Sequence, residues 1–191
     1  MKRSNKRGDI MQAAMELIVE KGFHGAPMDE IARNAGVGIG TIYIYFESKQ
    51  VLITELYQEL EEKIMLTIQD GYPFGMTIRK RFFHITTALL RFFVAYPLSF
   101  RYVEQFYNSP YGISLRRDRI LGNSGKIKVF ADLFEDGVTQ QVLKDYPTSV
   151  IIALAFSPLY ALARDHTFGF IILDDTSIRK AVEACWNAIK R

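Results

Sequence analysis

Residues 28–49, M-D-E-I-A-R-N-A-G-V-G-I-G-T-I-Y-I-Y-F-E-S-K, leave the backbone few options. Met28, Ile31, Ala32 and Ala35 recur at helical spacing, so 27–35 is predicted to be a helix with one buried stripe. Pro27 suits its first turn, where a missing N–H has no intrahelical partner. Gly36 can end the helix in the left-handed conformation that other residues reach only at a cost. A second apolar set follows at once at Ile39, Ile42, Tyr43 and Phe46, so a short helix is predicted over about 40–45. Two helices joined by a turn of three or four residues containing Gly form a helix-turn-helix. The three glycines of G-V-G-I-G also hint at a dinucleotide loop, but that loop must follow a buried strand, and what precedes Gly36 is a helix.

The strings E-I-A-R-N-A-G-V, G-T-I-Y-I-Y-F and S-K fall in the order that resembles the N-terminal signature of the TetR (tetracycline-repressor) family of transcription regulators. A helix predicted over 4–21, with Ile10, Ala13, Ala14, Leu17 and Ile18 at helical spacing and Gly22 as its stop, extends the resemblance across about the first fifty residues. The resemblance implies that the turn and second helix meet double-stranded DNA and that a lysine at the next helix start grips phosphate. On this chain those positions are Gly38, Ile39, Gly40, Thr41, Tyr43, Ile44, Tyr45 and Lys49. Two places depart from the pattern. Gly38 and Ile39 stand where a small hydroxyl and a polar or basic residue are usual, and Ala26 replaces the usual Thr or Ser cap. Few side chains here can pair with base edges; Ile39 and Ile44 offer only contact with thymine methyls.

Charge adds little globally, since 24 Lys and Arg against 21 Asp and Glu give a formal charge of +3. The basic residues cluster at Lys2, Arg3, Lys6 and Arg7, beside the DNA-reading module, then at Arg79, Lys80 and Arg81, and at Arg116, Arg117, Arg119, Lys126 and Lys128. The last two clusters read as solvated faces, the first as a phosphate contact. A lone cysteine, Cys185, excludes an internal disulfide and fits the cytoplasm. The longest uncharged run, 146–163, contains Pro147 and Pro158 and falls short of a membrane span.

Seen whole, the chain is predicted to be all-α with about nine helices: a three-helix head over 1–47 and a six-helix body over 48–191. The later helices are expected at about 48–69, 76–96, 97–108, 125–141, 148–168 and from an Asp174 or Asp175 cap to 189, with 108–112 a turn and the segment to 124 a loop with room for a short basic helix. The helix over 48–69, carrying Leu52, Leu56, Leu60, Ile64 and Ile68, is expected to be the single covalent lever between head and body. The segment 74–134 is rich in aromatic residues. With the resemblance it implies an apolar pocket for a small effector, lined by Phe82, Thr86, Leu89 and Phe93, then Tyr102, Gln105 and Phe106, then Phe130, Phe134 and Tyr160. The resemblance also implies a homodimer built from the last two helices. Ile151, Leu154, Ala155, Leu159 and Leu162 are expected there with Ile178, Val182, Cys185, Trp186 and Ile189.

Catalysis finds no support. His24, His84 and His166 share no metal-ligand spacing, and Cys185 has apolar helical neighbours, so no metal, cofactor or enzymatic role is assigned. The function implied is a ligand-responsive regulator, most simply a repressor binding a palindromic operator as a homodimer, with no membrane partner. The alternative is a helical small-molecule-binding protein whose head no longer reads sequence.

Overall fold

The computed structural model describes residues 5–120 and 128–191. Lys2, Arg3, Lys126 and the predicted helix start at Gly125 lie outside the described residues, as do the side chains of Arg116, Arg119 and Lys128. Ten helices and no strand are present among the described residues: α1 (Lys6–Lys21), α2 (Met28–Asn34), α3 (Ile39–Tyr45), α4 (Lys49–Gln69), α5 (Ile78–Ala95), α6 (Pro97–Tyr107), α7 (Pro110–Ile120), α8 (Lys128–Thr139), α9 (Thr148–Thr167) and α10 (Asp175–Ile189). The all-α class holds. The additional helix is α7, which takes in both the expected turn at Pro110 and Gly112 and the start of the segment expected to be a loop with room for a short basic helix. No single helix among the described residues is long and apolar enough to cross a membrane.

The chain divides into two compact units, Met1–Glu62 with Leu98–Ile113, and Lys63–Pro97 with Ser114–Arg191. It therefore passes between them three times, within α4, at the start of α6 and within α7. The expectation that the helix after Ser48 is the only covalent link does not survive, because α6 belongs with the N-terminal unit.

In the first unit the local signals act as read. The α1 stop is Gly22 at φ +74°, with its N–H donating to Ile18 O at 2.8 Å. Gly36, at φ +67°, ends α2 through two backbone bonds, Gly36 N to Arg33 O at 3.1 Å and Val37 N to Ala32 O at 2.9 Å. That pair is the Schellman arrangement, and it satisfies carbonyls the helix end would leave open. Ser48 Oγ accepts from Val51 N at 3.2 Å and so caps α4. Ile10, Ile18, Ile31, Ile42, Phe46, Leu52 and Ile53 are fully buried and form the core between these helices.

Phe23 follows the Gly22 stop. It is buried, and its ring meets Tyr102 and Tyr111, at centroid distances of 6.0 and 5.2 Å. The α6 helix closes the unit by reaching for backbone. Arg101 Nη2 and Gln105 Nε2 both donate to Val19 O at 3.1 Å, and Tyr102 OH donates to Ile53 O at 2.8 Å. Val19 lies in the last turn of α1, whose carbonyls lack helical partners, so these side chains supply them.

In the second unit α5 packs against α8, α9 and α10. Phe82 is fully buried 5.4 Å from the Trp186 ring, and Phe93 is buried 5.4 Å from Tyr160. Asp174, the first of the two cap candidates, accepts from Ser177 N at 2.7 Å, which holds its carboxyl below the ordinary range. Burial pushes the Cys185 thiol up to about 11. At pH 8 only about 0.1% would be thiolate. Iodoacetamide at that pH is expected to leave the native protein unmodified and to alkylate it after denaturation. Rapid labelling of the native chain would contradict the burial.

Candidate nucleic-acid interface

The α3 helix gives one side chain to the core. Ile42 is fully buried, while Ile39, Gly40, Tyr43, Ile44 and Tyr45 are exposed and Thr41 is half-buried. At 100° per residue, the direction opposite Ile42 falls between Gly40 and Ile44, and Ile44 is 81% exposed. Gly38, in extended conformation at φ −71°, precedes the helix without a side-chain cap. A Cβ placed on Gly40 would meet nothing within 4 Å, and one on Gly38 would meet only Thr41 Oγ1, at 4.0 Å. Neither glycine is demanded by the fold. Their effect is to keep the outer surface of the turn and helix low.

Seven of the eight predicted positions, from Gly38 to Tyr45, therefore lie together on one short segment. Lys49 begins α4, and its Nζ donates to the carbonyl oxygen of Phe23, with burial pushing its pKa down. One of its three donors is used at home, and two remain for a phosphate. Lys49→Ala is expected to weaken binding to all DNA sequences about equally and to reduce the salt slope by about one. An unchanged slope in a salt titration would remove Lys49 from the interface.

Of the basic N-terminal cluster, Arg7 departs from its expected role. Arg7 donates to Glu55 Oε2 at 2.8 Å and to Glu59, and its guanidinium lies 5.5 Å from the Phe46 ring centroid. Those carboxylates, Glu59 foremost, raise its pKa. Arg7 is thus a strut between α1 and α4, whereas Lys6 is exposed. A cation that sequence reasoning passed over is Arg33 in the last turn of α2, with a side chain 73% exposed and only a 4.0 Å approach to Glu30. Its position inside the E-I-A-R-N string was the available signal, since the first helix of such a motif crosses the backbone.

The ten effector-pocket positions are divided between the two units. Phe82, Thr86, Leu89 and Phe93 are buried on α5; Phe130 and Phe134 flank Phe156 at 5.5 and 6.1 Å, and Tyr160 is half-buried. Thr86 Oγ1 donates to Phe82 O at 2.7 Å, within its own helix. Tyr102, Gln105 and Phe106 belong to the first unit, where Tyr102 and Gln105 bond backbone and Phe106 stacks on Tyr57 at 4.0 Å. An open cleft of about 610 Å³ in the second unit is lined by other residues, among them Phe74, Met76, Thr77, Arg81, Asp132 and Asp136. There Arg81 is engaged, bonding Asp136 at 2.6 Å and Tyr72 OH at 2.8 Å.

Eight of the ten dimer positions face inward. Ile151, Ala155, Leu159, Ile178, Val182, Cys185, Trp186 and Ile189 are buried within the chain itself, and only Leu154 and Leu162 are half-buried. The exposed side of α9 carries Val150, Ala153, Ser157 and Ala161, and that of α10 carries Ala184 and Asn187.

Comparison with known proteins decides the family. A model described as bacterial regulatory proteins, tetR family, matches residues 10–56, and one described as tetracyclin repressor-like, C-terminal domain, matches 77–190. The chain belongs to the TetR family. It is a transcriptional regulator with a DNA-binding head, and its relatives are regulators, not enzymes. A solved TetR-family protein from Vibrio parahaemolyticus, a putative transcriptional regulator, is 30% identical with a TM-score of 0.73, covering 98% of this chain and 100% of that one. The fatty acid metabolism regulator protein of Bacillus subtilis is 44% identical over 50 residues, 26% of each chain. The transcriptional activator FasR of Mycolicibacterium smegmatis is 41% identical over 69 residues, 36% of this chain and 32% of that one. The TetR regulator thus spans between 26% and 42% of the length of these and other curated relatives it matches.

Proposed function

We propose that this TetR-family regulator is a cytoplasmic homodimeric repressor of a partly palindromic operator, released by a small apolar or amphipathic molecule. Residues 1–47 would hold DNA, and 48–191 would bind the effector and the second subunit. The observation that carries the reading is the exposure of α3. A helix that spends only Ile42 on the core leaves its other side chains for a partner, and a recognition helix fits the major groove. Arg33, Lys49, Thr41, Tyr43 and Tyr45 supply phosphate contacts around it.

The effector reading rests on the aromatic residues of the second unit, Phe82, Phe93, Phe130, Phe134 and Tyr160, an apolar lining for an apolar molecule. The fatty acid metabolism named for the Bacillus subtilis relative agrees with that chemistry, although the likeness covers only 26% of each chain. Release would be a population shift, in which the molecule favours a state whose two heads are spaced wrongly for successive major grooves. Covalent routes for the signal include α6 as well as α4. Repression is the simplest sign; the activator among the relatives makes promoter output the deciding readout.

For the dimer, the exposed stripe Val150, Ala153, Ser157 and Ala161 on α9 is assigned to the two-fold, with Ala184 and Asn187 of α10. Small side chains allow two helices to approach closely. Light scattering at micromolar concentration is expected to give a dimer, and Ser157→Arg with Ala161→Arg a folded monomer. A monomeric wild-type chain would refute the two-half-site reading. The function itself is tested by transcription from the promoter upstream of its own coding region. Added protein should lower output, and an increase would make it an activator.

A further inference from the structure

We infer that this regulator reads the C5-methyl groups of thymines, with Ile44 and Ile39 as the reading residues, so that its operator is marked by thymine rather than by guanine contacts. The inference rests on the DNA-binding reading above and adds what the recognition helix recognises. Apart from the buried Ile42, the surface of α3 is made by Gly40 and Ile44 at its outermost, Thr41 and Tyr43 beside them, and Ile39 and Tyr45 at its two ends. It has no Arg, Lys, Asn, Gln, Asp or Glu, the side chains that pair with base edges through two hydrogen bonds. The nearest lysine, Lys49, sits at the start of the next helix with its ammonium on the Phe23 carbonyl.

What the face does offer is apolar. Ile44 is 81% exposed at its centre, and Ile39 is 47% exposed at its leading end. Leaving two isoleucines in water brings the folded chain nothing, and burying them on a partner is favourable in proportion to the area covered. Among the groups that base pairs present in the major groove, the thymine methyl is the apolar one. Gly40 beside Ile44 has open space where a side chain would stand, so the helix backbone can approach the base edges closely and bring Ile44 into contact. Tyr43 and Thr41 flank this ridge and can hold the sugar-phosphate walls.

Discrimination of this kind is weaker than bidentate pairing. Burial of one methyl group is equivalent to about fourfold in affinity, so two contacts per head amount to about 15-fold. Thymine and 5-methylcytosine share the methyl group. Thymine is the source assigned here, and the experiment separates the two.

The test uses the full-length protein and a duplex it selects from a random-sequence pool. The duplex is remade with deoxyuridine replacing every thymidine, which removes only the methyl groups, and again with 5-methylcytosine replacing cytosine in the deoxyuridine duplex. The expected result is a loss of about 15-fold or more with deoxyuridine, no recovery with 5-methylcytosine, and a salt slope unchanged throughout. In the variant Ile39→Ala with Ile44→Ala, which alters only exposed side chains, the two original duplexes should bind with nearly equal affinity. Equal binding of thymidine and deoxyuridine duplexes by the wild type overturns the inference. So does a loss that persists undiminished in the double variant, because the methyl groups would then act through DNA shape. Recovery with 5-methylcytosine would reassign the source of the methyl and overturn the thymine assignment. If no sequence is enriched from the pool at all, the sequence-reading head itself is refuted, a failure distinct from the others.

Discussion

Replacing Ile44 with Asp is expected to abolish measurable DNA binding at physiological salt while leaving the helix content and thermal midpoint of the protein unchanged. Ile44 is 81% exposed, so the fold loses almost no packing, and surface substitutions of this kind stay within roughly 0.5 kcal/mol. In the groove the outcome reverses. A carboxylate would be brought among phosphates and base-edge acceptors with no cation on α3 to pair with it. An uncompensated charge buried at an interface costs about 3–5 kcal/mol, and each 1.4 kcal/mol is tenfold, so a loss of more than about 100-fold follows. Ile42→Asp, two residues earlier, supplies the contrast. Ile42 is fully buried, and a charge there should prevent the head from folding. Near-normal binding by Ile44→Asp in a gel shift would mean that this face of α3 does not enter the groove.

Phe46→Ala is expected to give the largest stability loss among single truncations near the interface. The ring is fully buried just after α3 and carries the Arg7 guanidinium 5.5 Å from its centroid. Truncating a buried Phe to Ala typically costs about 3–5 kcal/mol, from lost transfer free energy and the cavity left behind. Arg7, held in place by Glu55 and Glu59, would remain near that cavity and oppose its collapse. At roughly 4–8 °C per kcal/mol for a unit of this size, the thermal midpoint should fall by on the order of 10 °C or more. DNA affinity should fall with it, because α3 is positioned through this residue and Ile42. A midpoint within about 2 °C of wild type would show that Phe46 does not organise the head.

Much of this was legible because local chemistry and tertiary packing agree in the head. Gly22 and Gly36 take the positive φ that their helix stops require, while of the apolar set Ile39, Ile42, Tyr43 and Phe46 only Ile42 and Phe46 turn inward. Elsewhere the two diverge. The start of α7 reads as a turn in the sequence because Pro110 and Gly112 are turn residues. Pro110 in fact occupies the first helical position, where its missing N–H costs nothing. Gly112 is small because a Cβ there would lie 2.2 Å from the Phe106 carbonyl oxygen.

The polar groups of α6 were read as ligand contacts for a similar reason. A sequence does not disclose that Val19 O and Ile53 O will need or accept the donors Gln105 and Tyr102. Hydrophobic periodicity finds the side of a helix that meets its own core. For α9 and α10 it returned Ile151, Leu159, Val182 and Trp186, all buried within the chain. The outward stripe of Ala153, Ser157 and Ala161 is composed of small residues that periodicity hardly registers.

The most direct test of a two-headed DNA-reading regulator is the mass of its complex with a duplex selected from a random-sequence pool, measured by light scattering at moderate salt. Two protomers on one duplex, with two related half-sites in the selected sequence, is the expected result. One protomer on one duplex, or binding that is tight but indifferent to sequence, would contradict it.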